Sequence, residues 1–238
     1  RVRRTRACAV DRRRALRAAS GLAQAHGMDN TLAPPRTSRA SPMRAHANNA
    51  STLHKLWGFL QWDVLLHALP IFHVHGLFVA LNVAMLNGSR ILFLEKFVTE
   101  TVLAKLPLAT VMMGVPTFYS RLLASPDFKA IHFSHMRLFI SGSAPLTEQT
   151  FIQFEAHTGM PILERYGMTE TGMITSNPLE GERTAGTVGF ALPGVEVRVC
   201  DERETPCAAG EVGVVEVRGP NVFAGYWNMP EKTAEEFR

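Results

Sequence analysis

A chain of 238 residues, 46% hydrophobic and 19% charged, is long enough for one or two domains with a real core. Its net charge of +4 sums two unlike parts: residues 1–50 hold eleven arginines against Asp11 and Asp29, whereas the rest carries 14 basic and 19 acidic side chains. The basic balance therefore belongs to the leader, and the mildly acidic body implies no nucleic-acid-binding face. Cys8, Cys200 and Cys207 are scattered, which fits a reducing compartment and offers no zinc spacing.

The leader, "RVRRTRACAVDRRRALRAASGLAQAH" followed by "APPRTSRASPMRAHANNAS", is poor in large apolar side chains. It could bury little surface against the entropy of ordering, so residues 1–50 are expected to be disordered or mistranslated. An organellar transit peptide and a nucleic-acid-binding arm stay open as other readings. The lack of an initiator methionine suggests a fragment.

From residue 64 strands and helices alternate. "DVLLHAL" is expected as a buried strand, "GLFVALNVAMLNG" as a helix ended by Asn87-Gly88, and "RILFLE" as a strand. "FVTETVLAKL" predicts a helix, "ATVMMGV" a strand, and "PTFYSRLLA" a helix opened by Pro116. "MRLFISG" predicts a strand, "PLTEQTFIQFEAHTG" a helix capped by Thr147 and stopped by Gly159, and "MPILERYG" the next strand. The apolar run 64–86 is interrupted by three histidines and a proline, so it reads as strand, loop and helix rather than a membrane span. After about residue 185 the pattern changes: Pro193-Gly194 predicts a type II turn, and two strands with no helix between them follow. The fold expected is α/β, with a largely parallel sheet and crossover helices (51–185) and a small antiparallel β unit (186–238).

Ligands of open α/β sheets sit beyond the carboxyl ends of the strands. Two such ends carry unusual residues. "FISGSAPLT" leaves its strand through Ser141, Gly142, Ser143, Ala144 and Pro145, small residues against which a flat ligand can lie. "ERYGMTETG" leaves through Tyr166, Gly167 and Met168: a ring to cover the ligand, a hydroxyl at Thr169 for a phosphate oxygen, and a hard oxygen at Glu170 for Mg²⁺. These are the needs of a nucleotide and its metal, although glycine-rich turns also occur without ligands. No esterase elbow and no lysine-bearing phosphate loop occurs.

"ISGSAPL", "YGMTE", "GTVGFALPGVEVRV" and "EVRGPNVFAGYWNMPEKT", in that order, resemble the AMP-forming acyl-CoA synthetase (adenylate-forming) family over roughly residues 63–238. Within it, "LPIFHVHGLF", "VPTFYSRLL" and "ERYGMTETGM" are most similar to malonyl-CoA synthetases. The resemblance implies a ligase that converts a carboxylate and ATP into an acyl-adenylate and then a coenzyme A thioester. It implies that Ser143, Ala144 and Pro145 flank adenine, that Tyr166 stacks on it, and that Thr169 meets the α-phosphate. Glu170 would hold Mg²⁺, and His73 would gate the acyl pocket. A dicarboxylate keeps one charge after activation, which calls for an arginine fork. Arg165 and Arg121 are the candidates. His73 and His75, taken as an H-x-H pair with both rings on one face of a strand near His67, are expected to wall the pocket rather than bind a metal.

Two departures from that family bear on activity. Residues 34–51, where its phosphate loop belongs, hold no glycine or lysine, and Thr37, Ser38 and Arg39 are at best a relic. The chain also stops short of the family's ribose-binding aspartate, hinge and lysine-bearing C-terminal domain. The 238 residues are therefore expected to be inactive alone. A non-catalytic nucleotide-binding remnant and a ligase for another short or aryl acid are the alternatives. Small-molecule partners, no membrane, and a cytoplasmic location (an organellar matrix if the leader is a transit peptide) complete the expectation.

Overall fold

Strands that lie between two helical layers must be apolar on both faces. β1 (Val64–His67), β3 (Val111–Gly114) and β4 (Leu138–Ser141) meet that demand and are buried along their whole length. The computed structural model describes residues 42–237. In it, β2 (Arg90–Phe93) flanks β1, and β5 (Leu163–Met168) flanks β4, giving five parallel strands in the order β2-β1-β3-β4-β5. Two antiparallel strands, β6 (Gly172–Ser176) and β7 (Phe190–Ala191), extend the same sheet to seven. β8 (Glu196–Cys200) and β9 (Val214–Arg218) form a separate antiparallel pair.

The connecting helices begin and end where their residues dictate. α2 (Asn82–Asn87) stops at Gly88, whose φ of 71° lets its N–H return to the Ala84 and Met85 carbonyls. α3 (Thr99–Lys105) follows β2. α4 (Pro116–Ala124) starts on a proline that has no N–H to leave unpaired. α5 (Glu148–Thr158) is capped by Thr147, whose hydroxyl accepts from the Thr150 amide at 3.1 Å, and ends on Gly159 at φ 73°. α6 (Pro230–Glu236) closes the described chain. Trp57, Tyr119, Phe139 and Phe154 fill the core. Edge-to-face contacts of Phe154 with Tyr119 (5.3 Å) and Phe139 (4.9 Å) lock α4, α5 and β4 together.

The entrance to the sheet is tied by charge. Asp63, just before β1, accepts from the Leu60 amide (2.7 Å), the Thr110 hydroxyl (2.8 Å) and Arg137 Nε (2.7 Å), with Arg137 Nη2 as a further donor. One carboxylate thus gathers the starts of β1, β3 and β4, the end of the sheet opposite the strand termini discussed below.

Three sequence expectations are corrected. The part of the supposed disordered leader that is described is helical: α1 (Pro42–Leu56) packs Ala45, Ala50 and Leu53 into the core. Its Asn49 side chain donates to the Met173 carbonyl (2.9 Å) and accepts from the Met173 amide (3.0 Å), and Trp57 Nε1 donates to Ser176 Oγ (3.0 Å). The expectation for residues 1–41, with Thr37, Ser38 and Arg39, lies outside the described residues. Second, antiparallel pairing starts at Gly172 rather than near 186, because Gly167 and Gly172 let β5 fold straight back on β6. A Cβ at Gly167 would stand 2.2 Å from the Gly172 carbonyl oxygen. Third, the H-x-H pair is not on a strand. His73 lies on a bend and His75 opens a π-helix, His75–Leu81, that runs into α2. Among the described residues no helix is long and apolar enough to cross a membrane.

Candidate functional site

β4 and β5 are sheet neighbours, with Ser141 in register with Glu164, so the two segments that leave them emerge side by side. Ser143 from the first and Arg165, Tyr166, Gly167, Met168, Thr169 and Glu170 from the second line one open cavity of about 260 Å³. His73 and Val74, from the turn before the π-helix, and Met173 of β6 complete the wall. Arg165 and Tyr166 are consecutive yet both reach the cavity, and the register shift between Tyr166 and Gly167 falls where a strand must re-aim its side chains.

The dominant electrostatic feature is Arg165. Its side chain is 3% exposed, and neither Nε nor Nη2 finds a hydrogen-bond partner among the described residues. The guanidinium lies beneath Gly142: a Cβ there would stand 2.4 Å from Nη1 and 2.5 Å from Cζ. The smallness of Gly142, which the sequence suggested was for a ligand, is thus required by the arginine itself. Burial pushes the Arg165 pKa down to about 10, so the group remains a cation at neutral pH.

Next to Gly142, Ser143 holds φ 68°, a left-handed conformation that is a strained choice for a residue with a side chain. Its Oγ lies 3.2 Å from Nδ1 of the fully buried His75. Burial and then the Arg165 charge hold His75 well below the ordinary histidine range, so the ring is neutral. His73 is exposed, and its Nδ1 accepts from the His75 amide at 3.2 Å.

Glu170 is held from a distance in sequence. Its Oε1 accepts from the Tyr226 hydroxyl at 2.9 Å, and its carbonyl accepts from the Phe223 amide at 2.8 Å. Tyr226 was not singled out from sequence, and only its place in "GYWNMPEKT" could have flagged it. Among the described residues no group of three or more His, Cys, Asp or Glu is placed to hold a metal ion. A single carboxylate with Oε2 still available nevertheless suits Mg²⁺, which usually takes one or two carboxylates and fills its shell with phosphate and water oxygens.

The remaining sequence candidates do not line the cavity. Ser141 is fully buried, and Ala144 and Pro145 are exposed. His75 backs the wall without lining it. Arg121 is exposed on α4 and does not line the cavity.

Residues 42–227 match the family model described as AMP-binding enzyme. The chain belongs to that family. This AMP-binding enzyme chain is 40% identical over 205 residues to the malonate–CoA ligase of Arabidopsis thaliana, covering 78% of this chain and 33% of that protein. The crystal structure of ATP-bound MatB from Rhodopseudomonas palustris superposes with a TM-score of 0.80 at 55% identity, over 82% of this chain and 39% of that one. A malonyl-CoA ligase in a ternary product complex with methylmalonyl-CoA and AMP superposes with a TM-score of 0.74 at 39% identity, over 87% of this chain and 45% of the other. The chain therefore spans between a third and a half of the length of these relatives. Its mostly parallel seven-stranded sheet with a small antiparallel pair is the fold of adenylate-forming enzymes.

Proposed function

We propose that this chain supplies the nucleotide- and acid-binding part of a ligase that activates a small dicarboxylic acid of the malonate class with ATP and passes it to coenzyme A. One carboxylate oxygen attacks the α-phosphorus and pyrophosphate leaves. The coenzyme A sulfur then attacks the acyl carbon and AMP leaves. The second carboxylate takes no part in the bonds made or broken and needs a counter-charge throughout.

The observation that carries this reading is the Arg165 guanidinium in the cavity wall, whose Nε and Nη2 find no hydrogen-bond partner among the described residues. A buried cation with idle N–H groups is half of an ion pair, and a carboxylate accepts from a guanidinium fork in two parallel bonds. A monocarboxylate would spend its only charge at the phosphorus and leave Arg165 unsatisfied. Ser143 offers a second donor and His73 walls the acid. Methylmalonate fits the same scheme, since one methyl changes binding by about 1–3 kcal/mol only.

In the same reading the Tyr166 ring covers the adenine, with the backbone of Gly142, Ser143, Ala144 and Pro145 along its edge. The Thr169 hydroxyl donates to the α-phosphate. Glu170 would hold Mg²⁺, whose charge offsets that of the phosphates when bound, and Tyr226 keeps the carboxylate aimed. Cys200 and Cys207 are not in disulfides, which suits a reducing compartment, for which the cytoplasm or an organellar matrix would serve.

Calorimetry of malonate and of AMP binding to the chain and to Arg165→Ala tests the reading. Malonate affinity should fall by two or more orders of magnitude, since truncating one side of a buried charged pair costs about 2–5 kcal/mol. AMP affinity should hardly change. An equal loss for both ligands would remove the case for a carboxylate clamp.

A further inference from the structure

Three candidates outside the roles already described stand out: the exposed apolar side chains of Phe72 and Met85, the Cys200–Glu216–Arg198 cluster on the two-stranded sheet, and the second histidine of "FHVHG". Nothing in the structure says what covers the first. The second is a satisfied ion pair, with Arg198 Nε donating to Glu216 Oε2 at 2.5 Å. The third makes two specific contacts, and both lead into the cavity.

We propose that His75 is a positioning residue of the acid pocket: its ring turns the Ser143 hydroxyl into a donor aimed at the cavity, and its main-chain amide fixes His73 as the tautomer with its hydrogen on Nε2. The inference rests on the malonate-class reading above. It goes beyond it by assigning a task to a residue that does not line the cavity.

The geometry leaves the His75 ring little choice. It is 1% exposed, and Nε2 has no hydrogen-bond partner among the described residues, whereas Nδ1 faces Ser143 Oγ at 3.2 Å. A hydrogen on Nε2 would be a buried donor with nothing to bond, among the costlier arrangements in a protein interior. A hydrogen on Nδ1 has an acceptor at once. The ring therefore donates to Ser143 Oγ, and the serine, having accepted, keeps its own O–H free to donate. That O–H belongs to a side chain lining the cavity next to Arg165. Two donors, one cationic and one neutral, then face the same space, and this suits a carboxylate with two oxygens.

The main chain does the matching work on His73. The His75 amide donates to His73 Nδ1, which must then be an acceptor, so a neutral His73 carries its hydrogen on Nε2. The turn that permits this is fixed by Gly76, where a Cβ would stand 2.2 Å from the Pro70 carbonyl oxygen. Arg165 bears on the device from a third side, because its charge opposes a second cation at His75 and keeps the ring neutral. His67 and His73 act on the ring in the same direction. Ser143 completes the argument from its own backbone. Its left-handed φ is a strained choice for a serine, and the contact with His75 gives a reason for a side chain, rather than a glycine, at that position.

The test uses amide side chains that imitate one ring nitrogen at a time. His75→Asn puts an N–H near the position of Nδ1, His75→Gln near that of Nε2, and His75→Phe keeps the ring volume with neither. Malonate and AMP affinities are measured by calorimetry on the wild-type chain, the three variants, Ser143→Ala, and the Ser143→Ala/His75→Phe pair, with unfolding midpoints recorded for all. The expected result is a ten- to hundredfold loss of malonate affinity in Phe and Gln, the size of a hydrogen bond to a charged group. Asn should recover most of it, AMP affinity should be unchanged, and the pair should lose no more than Ser143→Ala alone. Equal losses in Phe, Gln and Asn, or a double variant that loses the sum, would overturn the positioning role and leave the malonate reading standing. If the wild-type chain binds AMP but no malonate, the malonate reading fails first and takes this inference with it.

Discussion

Replacing Arg165 by methionine should stabilise the chain while destroying its affinity for a dicarboxylate. Methionine is unbranched and apolar and can follow the path of the arginine stem beneath Gly142. The gain can be worked from the structure in two ways. Two buried donor nitrogens without partners, Nε and Nη2, each cost about 1–3 kcal/mol. Burial also moves the group from its ordinary 12.5 to about 10, which at 1.36 kcal/mol per pKa unit amounts to about 3 kcal/mol. Both agree with the roughly 1–4 kcal/mol gained when buried charged groups are exchanged for packed apolar ones. Arg165→Met should therefore unfold in guanidinium chloride with about 2–3 kcal/mol more stability and an unchanged slope. Malonate at a hundred times its dissociation constant should add about 2.7 kcal/mol to the wild type and nothing to the variant. A variant less stable than the wild type, with its packing intact, would mean that the guanidinium has a partner in the free protein and is not waiting for one.

Three further outcomes follow from neighbouring geometry. Asp63→Ala strips Arg137 of its counter-charge and should cost about 3 kcal/mol in denaturant unfolding. Burial alone would raise the Asp63 carboxyl, but hydrogen bonds from Arg137, Leu60 and Thr110 hold it below the usual carboxylate range. Its contribution is therefore complete above a pH of about 4 and is lost as pH falls through the lower folded value, so the wild type and variant should converge in acid. Gly189→Ala should cost more than about 2 kcal/mol, because φ is 75° and the new Cβ would stand 2.0 Å from the Ser176 carbonyl oxygen, at the point where β7 returns to β6. Burial and then the Glu170 carboxylate push the Tyr226 phenol up to about 12. In Glu170→Gln an ultraviolet difference titration should find it closer to its ordinary 10, and an unmoved titration would remove the Tyr226–Glu170 contact from the site.

How far the sequence discloses this molecule depends on the range of the interaction. Thr147 and Gly159 delimit α5, Pro116 opens α4 and Gly88 closes α2 because caps and stops are local, and the sequence displays them. The alternation of strands and helices, and the approach of the bends near 142 and 168, follow from the rule that parallel neighbours end together. The helix at Pro42–Leu56 was not visible, since what holds it is Asn49 reading the Met173 backbone 124 residues away. Alanine and asparagine look like leader composition until that partner is in place. The same distance hides Tyr226 from Glu170, 56 residues earlier. In the H-x-H pair, period-two reasoning assumed a strand, and the tight turn at Gly76 replaced it with a histidine ring hydrogen-bonded to the next histidine's amide. Gly142 illustrates a subtler limit. A small residue at a strand end signals that something approaches closely, and only coordinates reveal that the visitor is a side chain of the same protein.

The arginines of the described chain separate into kinds by what surrounds them. Arg137 spends Nε and Nη2 on Asp63. Arg183 donates to the Pro178, Pro161 and Leu179 carbonyls at 2.9, 2.7 and 2.6 Å, pinning the loop after β6. Arg198 is paired with Glu216. Each is explained by the fold alone, and a ligand would have to compete with protein for it. Arg165 is the one arginine among the described residues with buried N–H groups left idle, and it sits at the opposite end of the sheet from the Asp63 clasp. Folding satisfies polar groups wherever it can, because each unmet one subtracts from a margin of only about 5–15 kcal/mol. A cation whose buried Nε and Nη2 stay without partners against that pressure, under a glycine that makes room for it, is what the second carboxylate of the proposed acid would pair with.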